Sequence, residues 1–305
     1  MSDDVAAAVD ALRLGDLILL PTETVYGLGA DAANPAAVAK IFAAKGRSRF
    51  NPLIAHVSDV AQARRVAVMD ALAERLADAF WPGPMTIVAA YRGEGVCDLA
   101  RAGLNSVAVR APLLPLARAV IDAFGAAVVA PSANRSGRPS PTTFDDAVEE
   151  TGPSVAAALD GGPCAVGLES TVVSVLGGVV RLLRPGAVTR SEIESIVGPL
   201  AADEGDGHRS PGRLALHYAP DAPVRIEARG ARAGEILLGF GPGVGEPRWS
   251  LSERGDTAEA AARLFRLLRE ADRERPSGIA VSPMPNDGLG EAINDRLRRA
   301  AGFVG

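Results

Sequence analysis

Aromatic residues make up 4% of this chain, and it has two cysteines and three histidines. With so few rings, Leu, Val, Ile and Ala must fill any core, and a hydrophobic content of 48% supplies enough of them. Cys97 and Cys164 match no metal-ligand spacing and read as buried thiols. No apolar run approaches the roughly 20 residues of a membrane span. The opening Met1-Ser2-Asp3-Asp4 is acidic rather than basic. The expectation is a soluble, cytoplasmic protein with no membrane partner. A net charge of −5 excludes a surface that attracts nucleic acid by charge alone, so a phosphate ligand would need a local cationic pocket. Neither a G-x-x-x-x-G-K-S/T loop nor a G-x-G-x-x-G fingerprint occurs, and Ser132 lacks a G-x-S-x-G elbow.

What is present is an alternation of strand and helix signals over 305 residues, enough for two domains. Asn34 before Pro35 predicts a helix start, and Gly46 predicts its left-handed stop. Asp70 is expected to cap a helix through Phe80, ended by the turn Trp81-Pro82-Gly83-Pro84. A further helix is expected from Leu113 to Phe124. Strands are expected at 17–20, 52–57, 86–91, 106–111 and 126–130, with a hairpin turning at Gly177-Gly178. Thr189 and Glu192 form a capping-box signature. Residues 201–220 read as an acidic linker. Beyond it, strands near 224–226, 236–240 and 279–281 and helices at 257–273 and 289–300 predict a small second α/β unit. The domains so defined are 1–200, a linker 201–220, and 221–305.

Polar chemistry gathers where apolar runs end. Leu17–Leu20 leads into Pro21-Thr22-Glu23-Thr24-Val25-Tyr26-Gly27-Leu28-Gly29. Lys45, Arg47 and Arg49 put three charges in five residues, ahead of Asn51-Pro52. Arg47 has the forked geometry to clamp phosphate oxygens, and Lys45 can act as a point charge. His56 ends Leu53-Ile54-Ala55 as either a hydrogen-bonded core histidine or a substrate contact. Arg110 ends Val107-Ala108-Val109 and needs a carboxylate, internal or from a substrate. Pro131-Ser132-Ala133-Asn134, with Ser136, Gly137 and Ser140 beyond, can wrap backbone amides around an anion. Ser170-Thr171 and Arg184 end further apolar runs. Ser210-Pro211-Gly212 and His217-Tyr218-Ala219-Pro220 read as a surface tether or as a flap over a site.

Taken together, these motifs resemble the threonylcarbamoyl-AMP synthase family, built on a YrdC-like domain. The pieces that carry the likeness are Pro21 to Gly29, Lys45-Gly46-Arg47, Asn51-Pro52-Leu53, His56, Trp81 to Thr86, Val107 to Arg110, Pro131 to Asn134, Glu169-Ser170-Thr171 and Arg184-Pro185-Gly186. Ser48, Phe50, Arg213 and Ala215 depart from the family's usual residues. The Ser-Pro-Gly…His-Tyr-Ala-Pro linker and the extra C-terminal unit resemble the longer, two-domain branch. The likeness implies an α/β fold: a twisted mixed sheet with surrounding helices around a deep positive cavity, then a small Rossmann-like domain.

It also implies a reaction. L-threonine, bicarbonate or carbon dioxide, and ATP would give L-threonylcarbamoyladenylate and pyrophosphate. The adenylate would pass to a complex that modifies adenosine 37 of tRNA, and contact with tRNA itself would not be required. The likeness assigns threonine to Thr24, His56, Arg110, Ala130, Ser132 and Ser170. It assigns ATP to Arg47, Asn51, Ser106, Ser132, Ser140, Arg184 and Tyr218. Lys45 and Arg47 would stabilise charge, and Mg²⁺ would ride on the phosphates with no direct protein ligand. Two rival readings are a YrdC-type enzyme handling carbamoyl-adenylate in metallocentre maturation and an RNA-binding module without catalysis.

Overall fold

Local chemistry sets the helix ends. Asn34 accepts hydrogen bonds from the Ala36 and Ala37 amides at 3.0 and 3.2 Å, Pro35 opens the helix Pro35–Lys45, and Gly46 closes it at φ 59°. That left-handed cap is free of steric cost for a residue without Cβ. Asp70 caps Ala71–Phe80 through the Ala73 amide, and Thr189 and Glu192 make both bonds of the capping box on Arg190–Val197. Helices Thr257–Arg273 and Leu289–Ala300 lie where their periodicity predicts. These elements belong to a computed structural model that describes residues 2–48, 51–202, 217–242 and 245–302. Arg49, Phe50, Arg213, Ala215, the Ser210-Pro211-Gly212 turn and most of the acidic linker lie outside those residues.

The larger sheet has nine strands. They are β1 (Ile18–Leu20), β2 (Gly27–Asp31), β3 (Ile54–His56), β4 (Met85–Ala90), β5 (Ser106–Arg110), β6 (Val128–Val129), β7 (Ala157–Ala158), β8 (Thr171–Ser174) and β9 (Arg181–Arg184). Their order is β7-β1-β2-β6-β3-β5-β4-β8-β9. The sheet is mixed: β1/β7, β3/β5 and β4/β8 are parallel, and the other neighbours are antiparallel. Strands near the middle run shorter than the sequence predicts, because pairing stops where a neighbour stops. Strand β6, expected over 126–130, pairs through Val128 and Val129 alone. The Gly177-Gly178 hairpin is present, with both glycines at positive φ. Strand β2 was not foreseen, since glycine-rich segments have low strand propensity and the partners β1 and β6 impose this one. Helix Asp3–Arg13 was also missed, although its Ser2 cap and its Val5, Ala8, Val9, Leu12 stripe are visible in the sequence.

Period-two alternation gives the central strands two different faces. On one side Ala55, Val107, Val109, Ile87, Ala89, Val173 and Val175 join the main core with the surrounding helices. On the other side Ile54, Ala108, Val88 and Val172 form a small apolar floor. Along the same rows lie His56, Ser106, Arg110, Thr86 and Ser170, two residues removed from floor positions. The polar residues therefore share a face because of strand period and register.

The second sheet contains β10 (Val224–Arg225), β11 (Glu235–Phe240), β12 (Trp249–Ser252) and β13 (Gly278–Val281). It is parallel throughout, in the order β10-β13-β11-β12, and β12 was not anticipated. Helices Thr257–Arg273 and Leu289–Ala300 bury Leu264, Phe265, Leu268, Ile293 and Leu297 against it. Val25, Leu168 and Tyr218 enter this same core, so the two sheets share apolar packing across the seam. Among the described residues no helix is long and apolar enough to cross a membrane.

Candidate active site

The polar face of the large sheet is roofed by the Pro131–Asn134 loop, by Arg47 after the Pro35–Lys45 helix, and by His217 and Tyr218. The resulting cavity is lined by Thr24, Arg47, His56, Arg110, Ala130, Ser132, Ser170, Arg184 and Tyr218 among the residues singled out from sequence. Four residues singled out with them, Lys45, Asn51, Ser106 and Ser140, are not in that lining. Ser106 lies on β5 four residues before Arg110, on the same face, so the two mark positions roughly 13 Å apart along the floor.

At one end, Arg110 is held on three sides. Its Nη2 meets Glu23 Oε1 at 2.5 Å, Nη1 donates to Thr24 Oγ1 at 2.9 Å, and Nε donates to the Gly83 carbonyl at 3.2 Å. The partner that sequence left open is thus internal, yet the guanidinium still borders the cavity. The turn ending the Ala71–Phe80 helix serves to present Gly83. His56 is buried, and burial first and Arg110 second push its pKa down to about 3. Its Nδ1 faces the Ile54 carbonyl at 3.2 Å, and the Val128 carbonyl is a second backbone acceptor for the ring, so the neutral imidazole is fixed by the strands around it. Thr86 and Ser170 share a hydroxyl bond of 2.8 Å beside it.

At the other end the chemistry is cationic. Arg47 buries Nε and Nη2 with no hydrogen-bond partner among the described residues. Burial first, and then Arg184, bring its pKa down to about 10, so it remains charged at neutral pH. Arg184 donates to the Ser170 carbonyl at 3.1 and 2.8 Å from Nε and Nη2. Lys45 is turned away from the opening: its ammonium donates to the Ser132 and Asn134 carbonyls and fixes the loop that carries Ser132. Burial, with Arg47 adding to it, holds the Lys45 pKa well below the usual lysine range. Ser140 likewise lies one layer back, donating to Glu169 Oε1.

Two lining residues, Glu169 and His217, and Glu23 just behind the wall carry chemistry that sequence left without a role. Glu23 and Glu169 sit inside the motifs, and the signal missed was that a buried cation needs a buried anion. His217 has an unpartnered buried Nδ1 among the described residues, and burial pushes its pKa down to about 3. Among the described residues three arginines face one lining carboxylate, and with Glu23 pairing Arg110 from behind the wall the excess charge is positive. The space accessible to water is about 50 Å³, enough for a handful of water molecules and well short of a usual ligand pocket.

The family model described as telomere recombination, for the Sua5, YciO and YrdC proteins, matches residues 10–186. The model of the threonylcarbamoyl-AMP synthase C-terminal domain matches residues 188–302. A threonylcarbamoyl-AMP synthase of Bacillus subtilis is 37% identical across 98% of this chain and 93% of its own length. The crystal structure of Pyrococcus abyssi Sua5 complexed with L-threonine superposes with a TM-score of 0.90 at 35% identity, covering 98% and 94% of the two chains. Full-length HypF in a phosphate- and nucleotide-bound form matches 62% of this chain with a TM-score of 0.53 at 18% identity, a likeness of fold alone.

Proposed function

This chain belongs to the Sua5, YciO and YrdC family, and from that premise we propose that it is a nucleotidyltransferase that makes L-threonylcarbamoyladenylate. Its substrates would be L-threonine, bicarbonate or carbon dioxide, and ATP, with pyrophosphate released. The product would supply the threonylcarbamoyl modification of tRNA position 37 through a separate transfer complex in the cytoplasm. The observation that carries the reading is Arg47, a charged guanidinium with two buried and unpartnered nitrogens in one cavity with Arg110 and Arg184. A buried cation left without an acid is matched to an anionic ligand.

The chemistry follows from the two ends of the floor. At the Arg110 end a carboxylate can meet the guanidinium that Glu23 and Thr24 orient, with His56 and Ser170 beside it. At the Arg47 end, Arg184, Ser132, Asn51 and Ser106 would take the nucleotide. Threonine's amine captures carbon dioxide to give a carbamate. A carbamate oxygen attacks the α-phosphorus, and the bond to the β,γ-diphosphate breaks with its electron pair leaving on pyrophosphate. Two anions must approach each other, so the protein's part is charge neutralisation and alignment. Lys45 contributes by fixing the Ser132 loop, and Ser140 by orienting Glu169. Mg²⁺ would neutralise the polyphosphate from the ATP oxygens, because both oxygens of the lining carboxylate Glu169 are already taken, by Ser140 and Arg296.

A nucleotide needs far more than the present opening, so the strip carrying His217 and Tyr218 must withdraw for entry and return to exclude water. In this reading 1–200 is the catalytic unit, 201–220 the linker and 221–305 the C-terminal unit. The test is to incubate the pure protein with ATP, Mg²⁺, bicarbonate and each amino acid in turn. Pyrophosphate release with threonine alone is expected. Release that is indifferent to threonine, or no release at all, overturns the assignment.

A further inference from the structure

The last helix places an arginine where its apolar stripe should continue. Along Leu289–Ala300 the buried positions include Ile293, Arg296, Leu297 and Ala300, and Arg296 is 0% exposed. A buried guanidinium is costly unless paired, and two of the groups that pair it belong to the other unit. Its Nε donates to Glu169 Oε2 at 2.9 Å, and Nη1 donates to the Pro185 carbonyl at 2.9 Å and to Asp295 at 2.8 Å. Its guanidinium carbon lies 5.4 Å from the centroid of the Tyr218 ring, within cation–π range. Glu169 and Pro185, which Arg296 holds, lie in closely packed segments. A Cβ on Gly186 would come within 2.4 Å of the Thr171 nitrogen and 2.6 Å of the Glu169 carbonyl.

Glu169 is the lining carboxylate of a cavity whose other charges are arginines. A carboxylate and a phosphate compete for the same guanidinium geometry. Glu169 already acts electrostatically on Arg184, and a Glu169 free to swing would compete with a polyphosphate for the Arg47 nitrogens that have no partner among the described residues. Its bonds from Arg296 to Oε2 and from Ser140 to Oε1 hold it in place.

We propose that Arg296 is a positioning residue for nucleotide binding, supplied by the C-terminal unit, that keeps Glu169 from swinging onto Arg47 and steadies Tyr218 over the same end. The C-terminal unit then contributes to the electrostatics of the site as well as supporting the linker. The inference rests on the reading that this cavity takes ATP.

The test measures ATP and L-threonine affinities by calorimetry on the full chain for the wild type, Arg296→Met, Glu169→Gln and the double variant. R296M is expected to weaken ATP tenfold to a hundredfold while threonine stays within twofold. Adding E169Q removes the loosened charge, so the double variant should bind ATP within threefold of wild type. A purely structural arginine would lower both affinities together, and the double variant would restore both together, so the split between ATP and threonine in R296M is what marks a positioning role. The double variant holds a neutral buried pair, so it can overturn the proposal even if R296M alone does not fold. ATP binding tenfold or more below wild type in the double variant, unchanged in R296M, or lowered there in step with threonine, overturns the proposal. If the wild type itself binds no ATP, the functional reading fails and the inference fails with it.

Discussion

Along the seam between the two sheets, arginines end on carboxylates. Arg269 meets Glu150 at 3.0 Å with both side chains buried, Arg138 meets Asp272 at 3.2 Å, and Arg273 meets Asp146 at 2.5 Å. In the cavity, Arg47 ends on no group among the described residues, and Arg184 donates to a backbone carbonyl. Arg138 and Arg273 are partly exposed, but Arg269 is as buried as the Arg47 nitrogens, and between those two the partner makes the difference. An arginine matched by an acid completes the fold, and under the proposed function Arg47, with two nitrogens unpartnered among the described residues, awaits an anionic ligand. Arg110 and Arg296 fall between the two groups: each is tied to a glutamate, but Arg110 lines the cavity with Glu23 behind it, whereas Arg296 stands behind the lining Glu169.

The contrast breaks most visibly at Glu150, which serves Arg135, Arg138 and Arg269 together. Glu150→Ala strands buried Arg269 and should cost about 3–5 kcal/mol of stability, read as a lower denaturant midpoint. A loss under 1 kcal/mol would place the seam among ordinary surface pairs. Arg47→Ala should do the reverse. Unfolding should be little changed, while ATP binding or turnover falls roughly tenfold to a hundredfold, the worth of a charge-assisted hydrogen bond of about 1.5–3 kcal/mol. Normal ATP kinetics in that variant would remove Arg47 from the site.

Acid sharpens the comparison further. His56 and His217 are held neutral with pKa values of about 3, below the ordinary value near 6.5. The unfolded chain binds protons there first, so their contribution is intact above pH ~6.5 and declines as pH falls toward 3. Burial pushes Glu150 up, but the Arg135 amide and the Arg269 guanidinium outweigh it and hold the group below the usual carboxylate range. Its contribution is present above the ordinary glutamate value and fades below it, so the seam and the cavity weaken in the same direction at different pH. His217→Asn should flatten the stability slope between pH 6.5 and 5 by up to about 1.4 kcal/mol per pH unit. An unaltered slope in unfolding titrations would mean that His217 is solvated. The smallest effect belongs to Arg266, whose pair with Glu270 at 2.7 Å is half-exposed on one helix. Arg266→Ala should change stability by about 0.3–0.5 kcal/mol.

Much of the local structure was legible beforehand because its causes lie within four residues. The Asn34-Pro35 cap, the Asp70 cap, the Thr189–Glu192 box and the stripe of the Thr257–Arg273 helix each carry their own signal. Nine of the named site residues share the lining because strand ends, register and the loop after β6 bring the motifs to one face. The two layers of that wall were not legible. Nothing local says that Lys45 turns back to the Ser132 and Asn134 carbonyls, or that Ser140 spends its hydroxyl on Glu169. The one readable hint of Arg296 was a charge sitting at a core position between Ile293 and Leu297.

The sequence alone determined several of the helices, where they stop, and which residue types stand at the strand ends, while helices Asp3–Arg13, Val60–Val66 and Phe144–Thr151 went unread. Tertiary structure decided which charges meet. Glu23 and Arg110 are 87 residues apart, and Glu169 and Arg296 are 127 apart. Helix caps and alternation are set by neighbours along the backbone. An ion pair is set by which distant surfaces are buried together, and that is fixed by the packing of two sheets through a shared core.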